Sequence, residues 1–286
     1  MKTLFIFGLG YSASHFARQA MAKGWRVIGT SREENPIKGV ETIFFDGQEK
    51  IENFAQRLEQ VTHILHSIPP HKETGDCVFN LHGEELEKLP NLQWMGYLST
   101  TGVYGNADGA MVDENSLRAP SSARSQARKK AEDCWLGTNL PIHIFRLAGI
   151  YGLGRSIFDQ VRSGRARAID KPNHVFSRIH IDDIAGVLWA SIAKPKVGAA
   201  YNLCDDEACE PVKVLAYACD LMGRGMLPIK SFEEAAKIMS PMALTFWQDN
   251  KQVDNTKIKQ ELGYELIHPD YKEGLNAIWA QENKDV

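Results

Sequence analysis

Thr3-Leu-Phe-Ile-Phe-Gly8-Leu-Gly10-Tyr-Ser-Ala13 decides the fold. Five residues, apolar but for Thr3, run into Gly8. They are too few for the apolar region of a signal peptide, and no cleavage-like site follows, so a buried strand fits them better. The turn after them reads Gly-x-Gly-x-x-Ala. Gly8 permits a tight turn, Gly10 lets backbone approach a pyrophosphate, and Ala13 lets the next helix pack closely on the strand. The start of that helix offers unsatisfied N–H groups and a partial positive charge to phosphates. The pattern therefore predicts a dinucleotide site. The other reading is a tight turn that binds nothing.

Working outward, short runs that are apolar on both faces predict strands at 3–7, 26–30, 41–46, 63–67, 94–99 and 142–147. Helical patterns intervene at 14–23, 51–61, 80–89 and 122–136. Alternation of this kind predicts an α/β fold with a doubly wound parallel sheet. After Tyr151 the rhythm changes. A helix is expected at 182–193, a strand at 200–203, and helices at 212–222, 231–239 and 255–262, the last closed by Gly263. No repeat or low-complexity linker divides the chain.

The chain has 286 residues, 43% of them hydrophobic and 24% charged, with a net charge of −3. That balance excludes global disorder and gives no electrostatic case for binding nucleic acid. Its longest basic cluster, Arg124-Ser-Gln-Ala-Arg-Lys-Lys130, is one helix face long. No apolar run approaches the roughly 18 residues of a membrane span. The cysteines, at 77, 134, 204, 209 and 219, form no Cys-x-x-Cys pair. Neither a zinc site nor a disulfide framework is expected, no metal ligands are assigned, and a reducing cytoplasm is expected.

The second strand ends Val27-Ile-Gly-Thr-Ser-Arg32. Dinucleotide folds selecting NAD usually place a carboxylate here for the ribose 2′-OH. Thr30 stands there instead, with Arg32 two residues on. A guanidinium can pair with a 2′-phosphate. This favours NADP(H), with NAD(H) still allowed. Glu33 and Glu34 beside Arg32 support the alternative, an ordinary surface arginine. Asp46 sits where an adenine amino group could bind, or serves as a loop cap. The expected cofactor-binding set is Gly8, Gly10, Tyr11, Ser12, Ala13, Ser31, Arg32, Asp46 and Ser67.

Further segments follow in order: Ser99-Thr-Thr-Gly-Val-Tyr-Gly105, Arg146-Leu-Ala-Gly-Ile-Tyr-Gly152, Arg178-Ile-His-Ile-Asp-Asp183, and Gln252-Val-Asp-Asn255 with Glu261-Leu-Gly-Tyr264. Together with the glycine turn, they make the chain resemble the extended short-chain dehydrogenase/reductases, the NAD-dependent epimerase/dehydratase type. The resemblance spans about residues 1 to 280. It implies a Rossmann domain with a smaller C-terminal α/β substrate-binding part, and nicotinamide chemistry on a sugar nucleotide or similar carbonyl or alcohol. The division expected is 1–150, with 178–204 returning to it, against 151–177 and 205–286.

Such enzymes usually pair a Ser or Thr with a Tyr-x-x-x-Lys dyad. The tyrosine is the acid/base, and the lysine one turn away lowers its pKa. Thr100 matches the first position. The tyrosine slot falls on Arg124 and the lysine slot on Arg128, and none of the eight tyrosines has lysine four residues on. Arginine stays protonated and cannot shuttle protons near neutrality. Spaced i, i+4, Arg124 and Arg128 could form an anion site on one face, or point to solvent with Arg128 pairing with Glu132. Pairing Ser125 with Lys129, or Gln126 with Lys130, would need an insertion. Tyr104 is a candidate proton donor, so the catalytic candidates are Thr100, Tyr104, Arg124 and Arg128. Histidine is a common acid/base group, which makes His66 and His71 further candidates, but lone histidines are more often structural.

Arginines 155, 162, 165, 167 and 178 could bind an anionic substrate or line a solvated loop. Asp182 and Asp183 read as helix caps. Gln252 stands where the resembled enzymes often have arginine. The expected function is an atypical NADP(H)-binding oxidoreductase or epimerase-like enzyme acting on a small anionic molecule, with a homodimer allowed. The alternative is a non-catalytic redox sensor or interaction protein on the same scaffold.

Overall fold

Every residue of Thr3–Phe7 is buried. A short run with no polar face must be covered on both sides, and this one becomes an inner strand of a sheet. The structure, a computed structural model, describes residues 1–34 and 36–284, the side chains of Pro241 and Met242 excepted. In chain order the elements begin β1 (Thr3–Phe7), α1 (Tyr11–Ala22), β2 (Arg26–Ser31), β3 (Glu41–Phe44), α2 (Phe54–Arg57), β4 (His63–His66), α3 (Cys77–Leu86) and β5 (Trp94–Thr100). A 3-10 turn (Thr101–Tyr104) leads to β6 (Met111–Val112), α4 (Ala123–Leu136), β7 (Ile142–Leu147), β8 (Gly149–Tyr151), α5 (Ile157–Arg162), β9 (Ala168–Asp170) and β10 (Arg178–His180). Then come α6 (Ile181–Ala193), β11 (Ala200–Leu203), α7 (Pro211–Leu221), β12 (Ile229–Ser231), α8 (Phe232–Ala236), α9 (Pro241–Phe246), β13 (Gln252–Val253), α10 (Thr256–Leu262) and α11 (Tyr271–Glu282).

The main sheet has seven strands in the order β11-β7-β5-β4-β1-β2-β3. β1 pairs in parallel with β2 and β4, β2 with β3, and β4 with β5. The order reverses beside β1, as in a doubly wound Rossmann sheet. The fold is thus the expected α/β Rossmann architecture with a C-terminal subdomain. No helix among the described residues is long and apolar enough to cross a membrane.

The chain divides into two compact units. One holds Met1–Val103, Ala123–Arg146 and Ala185–Tyr201; the other holds Tyr104–Ser122, Leu147–Ile184 and Asn202–Val286. The sequence reading instead kept residues 104–122 with the first 150. In the first unit, strand residues Phe5, Phe7, Ile64, Met95 and Ile144 pack with Phe54, Val78, Leu86 and Trp135 from the helices and with Leu58 at the end of α2. In the second, Tyr151, Phe158, Val214, Ala218, Tyr271, Leu275 and Ile278 form a core. A side chain at Gly274 would meet the Tyr151 hydroxyl at 2.1 Å, so only glycine lets α11 pack this closely.

Some elements differ from expectation for local reasons. The helix expected at 51–61 shrinks to α2, because Asn53 before it is left-handed at φ +53°. α3 starts earlier than expected because Asp76 caps it, accepting from the amides of Val78 at 2.9 Å and Phe79 at 3.2 Å. Asp270 does the same for α11, a helix missing from the sequence reading, through the amides of Lys272 and Glu273. Gly263 closes α10 at φ +66°, as expected.

Candidate functional site

The turn after β1 is built from backbone. Gly8 has φ +83°, and a Cβ there would lie 2.7 Å from the Ile68 side chain. Glycine is therefore required twice over, by conformation and by space. Around Gly10 nothing lies within 4 Å of where a Cβ would sit, and this residue opens α1 without a side-chain cap. The open backbone face at a helix start is the geometry that admits a phosphate. Ser12 and Ala13 are buried in α1, while Tyr11 is half-buried. Gly29 in β2 leaves room for Leu9, whose side chain a Cβ there would meet at 2.7 Å.

Thr30 has a duty that the sequence reading missed. It is fully buried, and its Oγ1 accepts from the Gly8 amide at 2.9 Å. Its carbonyl accepts from the Leu9 amide at 2.9 Å. Ser31 follows, half-buried, with its Oγ accepting from the Glu33 amide at 2.9 Å. Arg32 is exposed. Asp46 is exposed, and its Oδ1 accepts from the Gln48 amide at 2.9 Å, the loop-cap arrangement of the two readings. Ser67 is half-buried just past β4, its amide bonded to the Phe7 carbonyl at 2.9 Å.

The end of β5 brings hydroxyls together. Thr100 Oγ1 accepts from the Gly102 amide at 3.1 Å. A Cβ at Gly102 would lie 2.7 Å from Ser125 Oγ and 3.4 Å from Thr100 Oγ1. The residue of α4 that meets the Thr100 loop is thus Ser125, one position beyond the one reached by counting along the chain. Arg124 is exposed. Arg128 is half-buried, and its Nη1 donates to the Leu98 carbonyl at 2.6 Å and the Tyr97 hydroxyl at 3.2 Å. Its guanidinium lies 5.6 Å from the centre of the Tyr97 ring. Burial pushes the Tyr97 hydroxyl well up in pKa against the pull of Arg128. Arg128 Nη1 is therefore engaged by β5. The expected pair with Glu132 is not formed among the described residues, where Glu132 takes Arg146 instead.

Glu132 is fully buried and pairs with Arg146, with Oε2 2.9 Å from Nη2, while Ser99 donates to Oε1 at 2.5 Å. His66 is also buried, with Nε2 2.8 Å from Asp76 Oδ2, to which Trp135 Nε1 donates at 2.9 Å. Burial alone would raise the Asp76 carboxyl. The His66 charge, with hydrogen bonds from His66, Trp135 and the Phe79 amide, holds it below the usual carboxylate range. His66 thus takes the structural reading. His71 is exposed, in a short bridge to Gly75.

Tyr104 lies in the second unit. It is 2% exposed, and its hydroxyl donates to Asn202 Oδ1 at 2.6 Å. Service as a proton donor would require that bond to break. Arg162 donates to Glu282, Arg165 to Ser163, Arg167 to the Gly164 carbonyl and Arg178 to the Phe176 carbonyl. Arg155 is exposed. Gln252 Nε2 donates to the Gly109 carbonyl at 3.1 Å. Asp205 was missed altogether. It is 3% exposed, neither carboxyl oxygen has a hydrogen-bond partner among the described residues, and burial pushes its pKa up to about 8.

No protein-family model matches the chain. "Protein YeeZ" of Escherichia coli is 26% identical, covering 94% of this chain and 97% of its own length. A solved structure of a functionally unknown conserved protein from Silicibacter pomeroyi is 44% identical, with a TM-score of 0.90 over 99% of this chain and 100% of that one. The dTDP-glucose 4,6-dehydratase of Bacillus anthracis, solved in complex with NAD, is 17% identical, with a TM-score of 0.79 over 100% of this chain and 98% of that one. The fold is that of NAD-dependent epimerase/dehydratase-like proteins.

Proposed function

We propose that this chain, which belongs to one family with the functionally unknown Silicibacter pomeroyi protein, binds a nicotinamide dinucleotide and acts with it on a small anionic carbonyl, alcohol or sugar-nucleotide-like substrate. One observation carries the reading: Gly8, fastened by Thr30, presents the open backbone of Gly10 at the start of α1. Gly8, Gly10, Tyr11, Ser12 and Ala13 would hold the pyrophosphate. Ser31 and the exposed Arg32 would take a ribose 2′-phosphate, which favours NADP(H), and Asp46 and Ser67 flank the set. The NAD-bound dehydratase of the same fold supports the cofactor class. When bound, the dinucleotide supplies hydride exchange. Thr100 and Ser125 then orient a reacting oxygen by hydrogen bonds. The free cysteines fit a reducing compartment such as the cytoplasm.

A second reading has its own observation. Tyr104 and Arg128 are both occupied by structural bonds, and the chain has no Tyr-x-x-x-Lys. These support a dinucleotide-responsive sensor without turnover. Fluorescence titration with NADPH and NADH tests the shared premise. NADPH is expected to bind more tightly, and no binding of either at millimolar concentration overturns the proposal. NADPH oxidation across carbonyl and sugar-nucleotide substrates separates the two readings. Turnover that collapses in Thr100→Ala excludes the sensor.

A further inference from the structure

We propose that His180, Asp182 and His268 form a binding site for a divalent transition metal, zinc by preference. All three belong to the second unit. His180 ends β10, Asp182 is the second residue of α6, and His268 precedes α11. Asp182 Oδ2 lies 3.5 Å from His180 Nδ1 and 3.4 Å from His268 Nε2. The three ligand atoms all lie within 4.8 Å of one another.

These distances are long for hydrogen bonds, whose N···O separations run to about 3.2 Å. They suit a shared metal better. Bonds of about 2.0–2.1 Å at tetrahedral angles put neighbouring ligand atoms about 3.3–3.4 Å apart. The Asp182 amide lies 3.3 Å from His180 Nδ1, and an ion bound there would take that lone pair from the amide. Both rings are preorganised. His180 is 4% exposed and His268 7%. Their centroids are 3.9 Å apart, and Tyr151 packs edge-on against His180 at 5.1 Å. Asp183, next to the ligand aspartate, accepts from the Tyr264 hydroxyl at 2.9 Å and from the amides of Ile267 at 2.7 Å and His268 at 3.1 Å. It thereby fixes the segment that carries His268.

The side chain of Asp182 is 38% exposed, which leaves a path for the ion and a fourth position for water. Two imidazoles and one carboxylate suit zinc or a similar transition metal rather than magnesium or calcium. The ion would clamp the start of α6 to the 264–268 segment. This site does not depend on the dinucleotide reading. Sequence inspection gave no sign of it, because His268 is remote in the chain from the His-x-Asp pair.

The test is calorimetric titration of the full chain, stripped with chelator, against zinc chloride. Cobalt(II) absorption reports tetrahedral coordination in parallel. One equivalent is expected, with a rise in Tm. Asp182→Asn and His268→Gln should each weaken zinc at least about tenfold, while Asp182→Asn keeps the circular dichroism and the chelated Tm of the parent chain. Absence of saturable binding up to millimolar zinc overturns the proposal. So does one-equivalent binding that survives unchanged in both variants, since the ion would then sit elsewhere. NADPH titration of the stripped chain reports separately on the dinucleotide site.

Discussion

At the turn after β1, the polar groups on offer are backbone. At the seam between β5 and α4 they are side chains, and most are used up. Gly10 has open space where a side chain would be, and α1 starts there without a side-chain cap. At the seam, Glu132 holds Arg146 and Ser99, and Arg128 holds Leu98 and Tyr97. A buried charge must be paired, so Glu132 and Arg146 consume one another. A helix start can stay open because its N–H groups remain near solvent until a ligand arrives. The difference teaches where to look for binding in this unit. The seam is a fastening, and the turn is open backbone.

Five substitutions would break or sharpen that contrast. The largest effect is expected from Glu132→Ala, which leaves Arg146 buried without its carboxylate. Urea unfolding should show a loss of about 3–5 kcal/mol. A loss below about 1 kcal/mol would mean that the seam is wetter and looser than described. Next comes a pair at the turn. Gly8→Ala meets both the positive φ and Ile68, and should cost about 1–3 kcal/mol. Gly10→Ala should leave stability within about 0.5 kcal/mol yet weaken NADPH at least tenfold. Equal binding by the Gly10 variant and the parent would remove the phosphate from this turn. The smallest contrast is on α4. Arg128→Ala should cost about 1–3 kcal/mol by stripping the Leu98 carbonyl of its donor. Arg124→Ala, at an exposed position, should stay within about 0.5 kcal/mol. Equal effects would mean that Arg128 is not held by β5.

The inner strands were legible because they are short and apolar on both faces, and helical patterns alternate with them. The glycine turn was legible because its spacing encodes backbone needs. α2 and α11 were misread because their limits depend on a left-handed Asn53 and a capping Asp270, which a hydrophobic pattern does not report. The partner of Arg128 was misread for a different reason. A local i, i+4 rule favoured Glu132, but Glu132 faces inward from α4 with Ala131 and Trp135 and finds Arg146 on β7. Burial decided between local and distant partners, and burial follows from the packed fold. The shift from Arg124 to Ser125 has the same origin, since counting along a chain cannot fix which way a helix is rolled. Asp205 gave no signal, being an ordinary acidic residue beside Asp206 until the fold encloses it.

Thr30 carries a consequence for how this family could change its ligand. Its hydroxyl anchors the Gly8 amide from a fully buried position, so a carboxylate at that place would be a charge without water. On the proposed dinucleotide reading, discrimination between ligands would then fall to Ser31, half-buried, and Arg32, exposed. Fastening and choosing would then lie on adjacent residues. A lineage can therefore rewrite its preference at the surface without reopening the fold beneath.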